Sequence, residues 1–224
     1  MRVFGYAPHL SRVAALAVLV VVGFGMQVQA AVILGNLPAT NDGTFTSTST
    51  STMKAFAFTM GTDSYKLDKV ILRLRDYDDG DTPLVQIRND VGGSDPGSTV
   101  IASFSNPATQ SGLLANYTFT PTSTVTLAGS TKYWLYVGSS SGGFNFMGSS
   151  PSVPLTGMAT ADGIRISTNG GSSYNDSLTA NSLEIHGTLD APPVVPEPST
   201  MAVFGIGTLV AGVARARRRR KQQA

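Results

Sequence analysis

Between Lys54 and Leu189 no run of ten residues repeats its apolar positions at helical spacing. What recurs instead is a short alternation of apolar and polar residues, bounded by Gly, Pro, Asn and Asp. Lys66–Arg75 shows it best. Val70, Leu72 and Leu74 fall on one face, and Arg73 and Arg75 on the other, as a half-buried strand requires. Ala55–Thr59 is a short apolar strand, and Leu84–Arg88 follows the turn Asp76–Pro83. Further strands are expected at Thr99–Phe104, Asn116–Thr120, Val125–Leu127, Lys132–Val137, Gly163–Ser167 and Ser182–Leu189. Turn residues separate them at the spacing of a sandwich. Roughly 160 residues with about nine or ten strands predict an all-β, jelly-roll-like two-sheet β-sandwich.

Composition narrows the means of holding such a fold together. The chain has no Cys, so neither disulfides nor a Cys-based metal site contributes, and stability must come from core burial. The formal charge of +2 arises at the ends. Between Ala31 and Val195 there are eight Lys and Arg against 13 Asp and Glu, a net charge of −5. That balance gives no basis for nucleic-acid binding by the folded part.

The first 30 residues have the three parts of a secretory signal. Arg2 and Arg12 supply positive charge, Val13–Gly25 is an apolar run, and Val28-Gln29-Ala30 places small residues for cleavage between Ala30 and Ala31. The run has 13 residues, short of the roughly 20 that a spanning helix needs. A cleaved signal helix over residues 1–30 is therefore expected in preference to a retained anchor.

The other end is ordered differently. Ala191-Pro192-Pro193-Val194-Val195 is a stiff linker that closes the domain near Asp190. Pro196-Glu197-Pro198-Ser199-Thr200 follows, then the uncharged stretch Met201–Ala214, then Arg215, Arg217, Arg218, Arg219, Arg220 and Lys221. Fourteen residues make a transmembrane helix of about 21 Å, shorter than a hydrocarbon core of roughly 30 Å. The basic cluster stays cytoplasmic, which leaves the Pro-Glu-Pro side and everything before it outside. The organisation expected is a signal peptide at 1–30, a β-sandwich domain at 31–190, a linker at 191–195 and a sorting signal at 196–221.

Val195-Pro196-Glu197-Pro198, the apolar stretch and the Arg run, in that order, resemble the PEP-CTERM sorting signal. The resemblance covers about 26 residues. It implies processing near the motif by an exosortase, a membrane enzyme of Gram-negative bacteria that make exopolysaccharide. Glu197 would then be a recognition element. Two prolines keep the motif extended and accessible. A weaker resemblance runs through Tyr65–Leu74, Gly93–Gly97, Tyr117–Thr120 and Val125–Leu135. These segments are similar to a choice-of-anchor domain of the R type, which implies a fold and a surface location but no activity.

Four groups carry candidate chemistry. Asp76, Asp78, Asp79 and Asp81 surround Gly80 and offer the hard oxygen donors that calcium takes. Their spacing departs from the helix-loop-helix calcium pattern, and a solvated hairpin turn is the competing reading. Tyr133-Trp134-Leu135-Tyr136-Val137 puts Trp134 and Tyr136 on one strand face. Exposed, they would form a platform on which sugar rings stack; buried, they are core. Gly138-Ser-Ser-Ser-Gly142 matches a hydrolase nucleophile elbow centred on Ser140, with Asp162 and His186 following. That elbow needs a helix after it, and a flexible Ser-rich loop is expected instead. Glu184 and His186 lie two apart on one strand and share its face. Glu184 could belong to a glycosidase pair, although nothing selects its partner. His186 has no second His or Cys with which to hold a transition metal in the central region.

The expectation is thus a non-enzymatic protein of the cell surface or extracellular matrix, held transiently in the inner membrane and then processed. Exosortase is its expected partner and exopolysaccharide a candidate one, with no cofactor beyond the calcium alternative. A carbohydrate-binding or adhesive module is the second reading, and a secreted hydrolase the third.

Overall fold

The computed structural model describes residues 30–108 and 111–190. The expected signal helix, the linker, the sorting motif and the transmembrane helix lie outside the described residues. Within them the chain is all β, and no helix is long and apolar enough to cross a membrane.

Thirteen strands are described: β1 (Ala31–Gly35), β2 (Thr44–Ser49), β3 (Met53–Thr59), β4 (Tyr65–Arg75), β5 (Thr82–Asp90), β6 (Pro96–Ser105), β7 (Ala115–Pro121), β8 (Thr126–Leu127), β9 (Lys132–Ser141), β10 (Gly143–Gly148), β11 (Thr160–Ser167), β12 (Asn175–Asp176) and β13 (Leu183–Leu189). One sheet, A, runs β1-β13-β4-β7. It is extended by β10 and β2 at the far end of β4 and by β8 at its start. The other, B, runs β6-β5-β9-β3-β11-β12. The sheets join along one side, where Phe104 and Ser105 of β6 pair with Pro121 and Thr120 of β7. Every pairing is antiparallel. From β2 to β5, and again from β8 to β11, each successive strand lies in the opposite sheet.

Alternation decides what each strand buries. On β4, Val70, Leu72 and Leu74 are fully buried and meet Leu183 and Ile185 of β13 in the core. Arg73 and Arg75 stay half-buried on the other face, as their spacing predicts. Phe56 and Phe58 of β3, Val85 and Ile87 of β5, and Leu135 and Val137 of β9 fill the core from sheet B. Phe56 of sheet B meets Phe146 of sheet A edge to face, with ring centres 5.8 Å apart.

Two segments depart from expectation. Gly143–Gly148 is strand β10, with Phe144 and Phe146 buried. It is short and flanked by Gly and Ser, so its two-residue period is visible only once its partners β2 and β4 are known. Ala31–Gly35 is strand β1, whose register partner is the distant β13. Residues 41–43 turn, with the Gly43 backbone donating to the Asn41 side-chain oxygen at 2.9 Å, and lead into β2.

Buried amides tie the long connections down. Asn36 accepts a hydrogen bond from the Leu183 backbone at 2.9 Å and donates to the Val153 carbonyl at 3.0 Å. Arg73 grips Asp42 through two hydrogen bonds of 2.5 and 2.7 Å, and this holds the Asp42 carboxyl below its ordinary range.

Lys54 is the costly residue of the interior. It lies on the core side of β3, only 1% exposed, and its ammonium donates to the Thr179 carbonyl at 2.9 Å and the Ser177 hydroxyl at 2.5 Å. Burial lowers its pKa from the ordinary 10.5 to about 8. The unfolded chain therefore binds more protons than the folded one between these values, so stability rises with pH there. Lys54→Met is expected to stabilise the domain by about 1 to 2 kcal/mol at pH 7 and to abolish the rise in stability between pH 8 and about 9.5. Thermal melts of both forms across that range test it. Parallel curves would count against a strained buried ammonium.

Candidate functional site

The outer face of sheet B holds the chain's one Trp. Trp134 and Tyr136 project from β9 away from the inter-sheet core and lie opposite Ala57 and Ala55 of β3. The small neighbours leave room for both rings to lie against the sheet beside Met53. The platform reading requires exposed rings, and the structure corrects it: Trp134 is 1% and Tyr136 2% exposed. Nor do they belong to the main core. They form a separate cluster with Leu84 and Tyr174 packed against it.

Polar groups close over this cluster. Trp134 donates from Nε1 to Asp90 at 2.9 Å, and Lys132 stands 5.3 Å from its ring centre. Arg88 lies 3.5 Å over the Tyr136 ring. Burial opposes ionisation of Asp90, but hydrogen bonds from Trp134 and Gly92, with Lys132 nearby, hold its carboxyl below the usual range. From β11, Arg165 donates to the Ser94 carbonyl at 2.6 Å and reaches Asp95 at 3.8 Å. Ser94 and Asp95 sit in the β5–β6 connection, and β9 and β3 lie between β5 and β11. The Val91–Asp95 loop therefore arches across the sheet over the Trp134 side. Arg165 also contacts Asp176. Tyr174 covers the Tyr136 side, and burial pushes its pKa up to about 12, so it remains a neutral phenol.

The aspartate loop is a connector. The Asp81 carboxylate accepts from the Asp78 backbone at 3.0 Å and from the Gly143 backbone at 2.7 Å. It thereby links the β4–β5 turn to the start of β10. Asp76 takes a hydrogen bond from Asn145 and stands 3.4 Å from Arg75, while Asp78 and Asp79 are exposed. The four carboxylates do not converge: among the described residues no three acidic or His side chains gather as a metal site would need.

Gly138–Gly142 is not a loop. Gly138 to Ser141 continue β9, and Gly142, with φ of 66°, makes the turn into β10. Ser140 donates to the Thr82 carbonyl at 3.2 Å, and Asp162 accepts from Thr59. His186 faces Glu184 at 2.8 Å. The three residues of the apparent triad thus engage three different partners. The Glu184–His186 pairing follows the shared strand face, and both side chains are half-buried on the outer side of sheet A.

Three participants had no sequence signal of their own: buried Lys54, the Arg165 clasp and the Arg88–Tyr136 stack. Each depends on which strands become neighbours. One apolar groove of about 650 Å³ runs beside β11, lined by Pro154, Leu155, Ala159, Ala161, Ile164 and Ala180 among others, with no titratable side chain in its lining.

The sorting residues Val195, Pro196, Glu197 and Pro198, and the basic residues Arg215, Arg217, Arg218, Arg219 and Arg220, lie outside the described residues. Comparison with protein families matches residues 194–220 to the PEP-CTERM protein-sorting motif. A search of curated proteins found no match. The motif implies export, membrane-anchored transit and exosortase-dependent sorting.

Two predictions follow from the geometry. Acrylamide should quench Trp134 fluorescence weakly, and Arg165→Ala should raise the quenching by loosening the covering loop; strong quenching in the parent protein would refute its burial. Asp81→Ala should destabilise the domain by about 1 to 3 kcal/mol by orphaning two backbone donors, while Asp79→Ala should change stability by less than about 0.5 kcal/mol. Denaturant melts compare the two, and equal losses would contradict the connector role.

Proposed function

We propose that the chain is a non-enzymatic protein of the cell surface or extracellular matrix, delivered there after exosortase processing of its C-terminal sorting signal. The observation that carries the reading is the match of residues 194–220 to the PEP-CTERM motif, the one feature with an assigned recognition event. The motif, the uncharged stretch Met201–Ala214 and the arginines that follow are ordered as such processing requires. An apolar stretch of fourteen residues, about 21 Å if helical, is a poor permanent anchor, which suits release after cleavage.

The domain contributes a compatible body. Its expected chemistry-bearing groups are occupied in architecture: Asp81 in a turn, Ser140 on a strand carbonyl and His186 with Glu184. We read its connectivity, which passes repeatedly between the sheets, as jelly-roll-like, and its segments Tyr65–Leu74 and Val125–Leu135 as those of a choice-of-anchor domain. In this reading the signal peptide directs export, the inner membrane holds the precursor, and exopolysaccharide is the medium the mature protein joins.

The test is the mass of the mature protein in a host that carries an exosortase. The parent chain is expected to lose its membrane segment and arginines, whereas a variant with Pro196, Glu197 and Pro198 all replaced by Ala should stay full length in the membrane. Equal masses and equal fates for the two chains would defeat the proposal.

A further inference from the structure

The register of the outer strands places both ends of the folded domain together. Ala31 pairs with Gly187, and Leu189 of the same strand β13 pairs with Tyr65 at the start of β4. The chain thus enters the domain at residue 30 and leaves it at Asp190 from one end of the sandwich. The neighbouring connections knit into a cap at that end. Met60 donates to the Thr131 carbonyl at 3.0 Å, and Ser130 to the Gly61 carbonyl at 2.6 Å. Gly129 donates to the Ser64 hydroxyl at 3.1 Å.

Asp190 is fastened to this cap. Its backbone donates to the Ser64 carbonyl at 2.8 Å, and its carboxylate meets Lys66 at 3.1 Å and Thr126 at 3.1 Å. The tether to the sorting motif therefore begins at Ala191 and has five residues before Pro196. Fully extended, it keeps Pro196 within roughly 20 Å of Asp190. The domain's own radius of gyration is about 15 Å for its length. An enzyme that engages the motif therefore works within roughly 20 Å of this end of the sandwich.

We propose that this end, formed by Met60–Ser64, the β8–β9 turn at Ala128–Thr131 and the start of β11, is a docking face for the membrane-embedded processing enzyme. The inference rests on the sorting reading above and adds a partner surface to it. Asp63 and Asp162 are exposed on this face, while its two lysines are each paired with an aspartate, Lys66 with Asp190 and Lys132 with Asp90. The face is therefore acidic. Its complement would be a basic surface on the enzyme, and it disfavours settling on anionic lipid.

The experiment follows conversion of the full-length precursor to the shorter product by pulse-chase in a host with the enzyme. Four chains are compared with the parent: deletion of residues 191–193, which leaves the matched motif at 194–220 whole, insertion of ten Gly and Ser residues after Asp190, the double variant Asp63→Lys/Asp162→Lys, and that double variant with the insertion. Protease resistance of residues 31–190 is measured in each and is expected to be equal. Deletion should slow conversion at least about tenfold by misplacing the motif. Charge reversal should slow it roughly threefold at the native tether length, and should have no effect once the insertion frees the motif from the domain. Conversion of the deletion variant at the parent rate, or charge reversal without effect at the native length, would overturn the docking face while leaving the sorting reading intact. A parent chain that is never shortened would overturn both.

Discussion

Strand β3 is covered on both of its faces, and the two layers of the domain meet through it. Phe56 and Phe58 enter the space between the sheets, while Ala55 and Ala57 face outward beneath Tyr136 and Trp134. Large side chains on one face and small ones on the other let the strand anchor the core and still admit a second apolar layer outside it. Apolar area buried on both sides is the main stabilising term available to a domain with no disulfide. Lys54, at the head of the same strand, shows the cost of total enclosure: its ammonium is held by a hydroxyl and a carbonyl in place of water.

The second layer engages several charged groups on the outer face of sheet B. Arg165 holds the loop that crosses sheet B, and Asp90 and Arg88 contact Trp134 and Tyr136, so these charged groups roof an aromatic cluster. Asp81 and the Glu184–His186 pair are likewise engaged with neighbours. The residues that match a sorting motif lie in the tail, and the domain fixes where that tail begins. Its two ends emerge side by side from a hydrogen-bonded cap, with a short tether to the residues that match a sorting motif.

Local pattern made much of the architecture legible. β4 could be read from alternation alone because one of its faces is apolar and the other charged. The turn at Asp76–Asp81 was legible from its Asp and Gly content. Strand β10 was not, since Gly-Phe-Asn-Phe-Met-Gly is too short and too rich in glycine to declare a period without partners. The face of Trp134 was legible, but its burial was not. Alternation sets which residues share a side, whereas the roof over that side comes from residues 91–95 and 174, far away in the chain.

The order of proline motif, uncharged stretch and arginines within residues 194–220 is a property of the chain itself, because it is matched as a linear motif. The β class is likewise set locally, by two-residue alternation and turn chemistry. Tertiary structure alone decided that Trp134 is roofed over, that four aspartates fail to converge, and that Ala31 and Asp190 share one end of the sandwich. Each of those outcomes depends on which distant strands pair and in what register, and pairing energy is gained only when residues far apart in sequence come together.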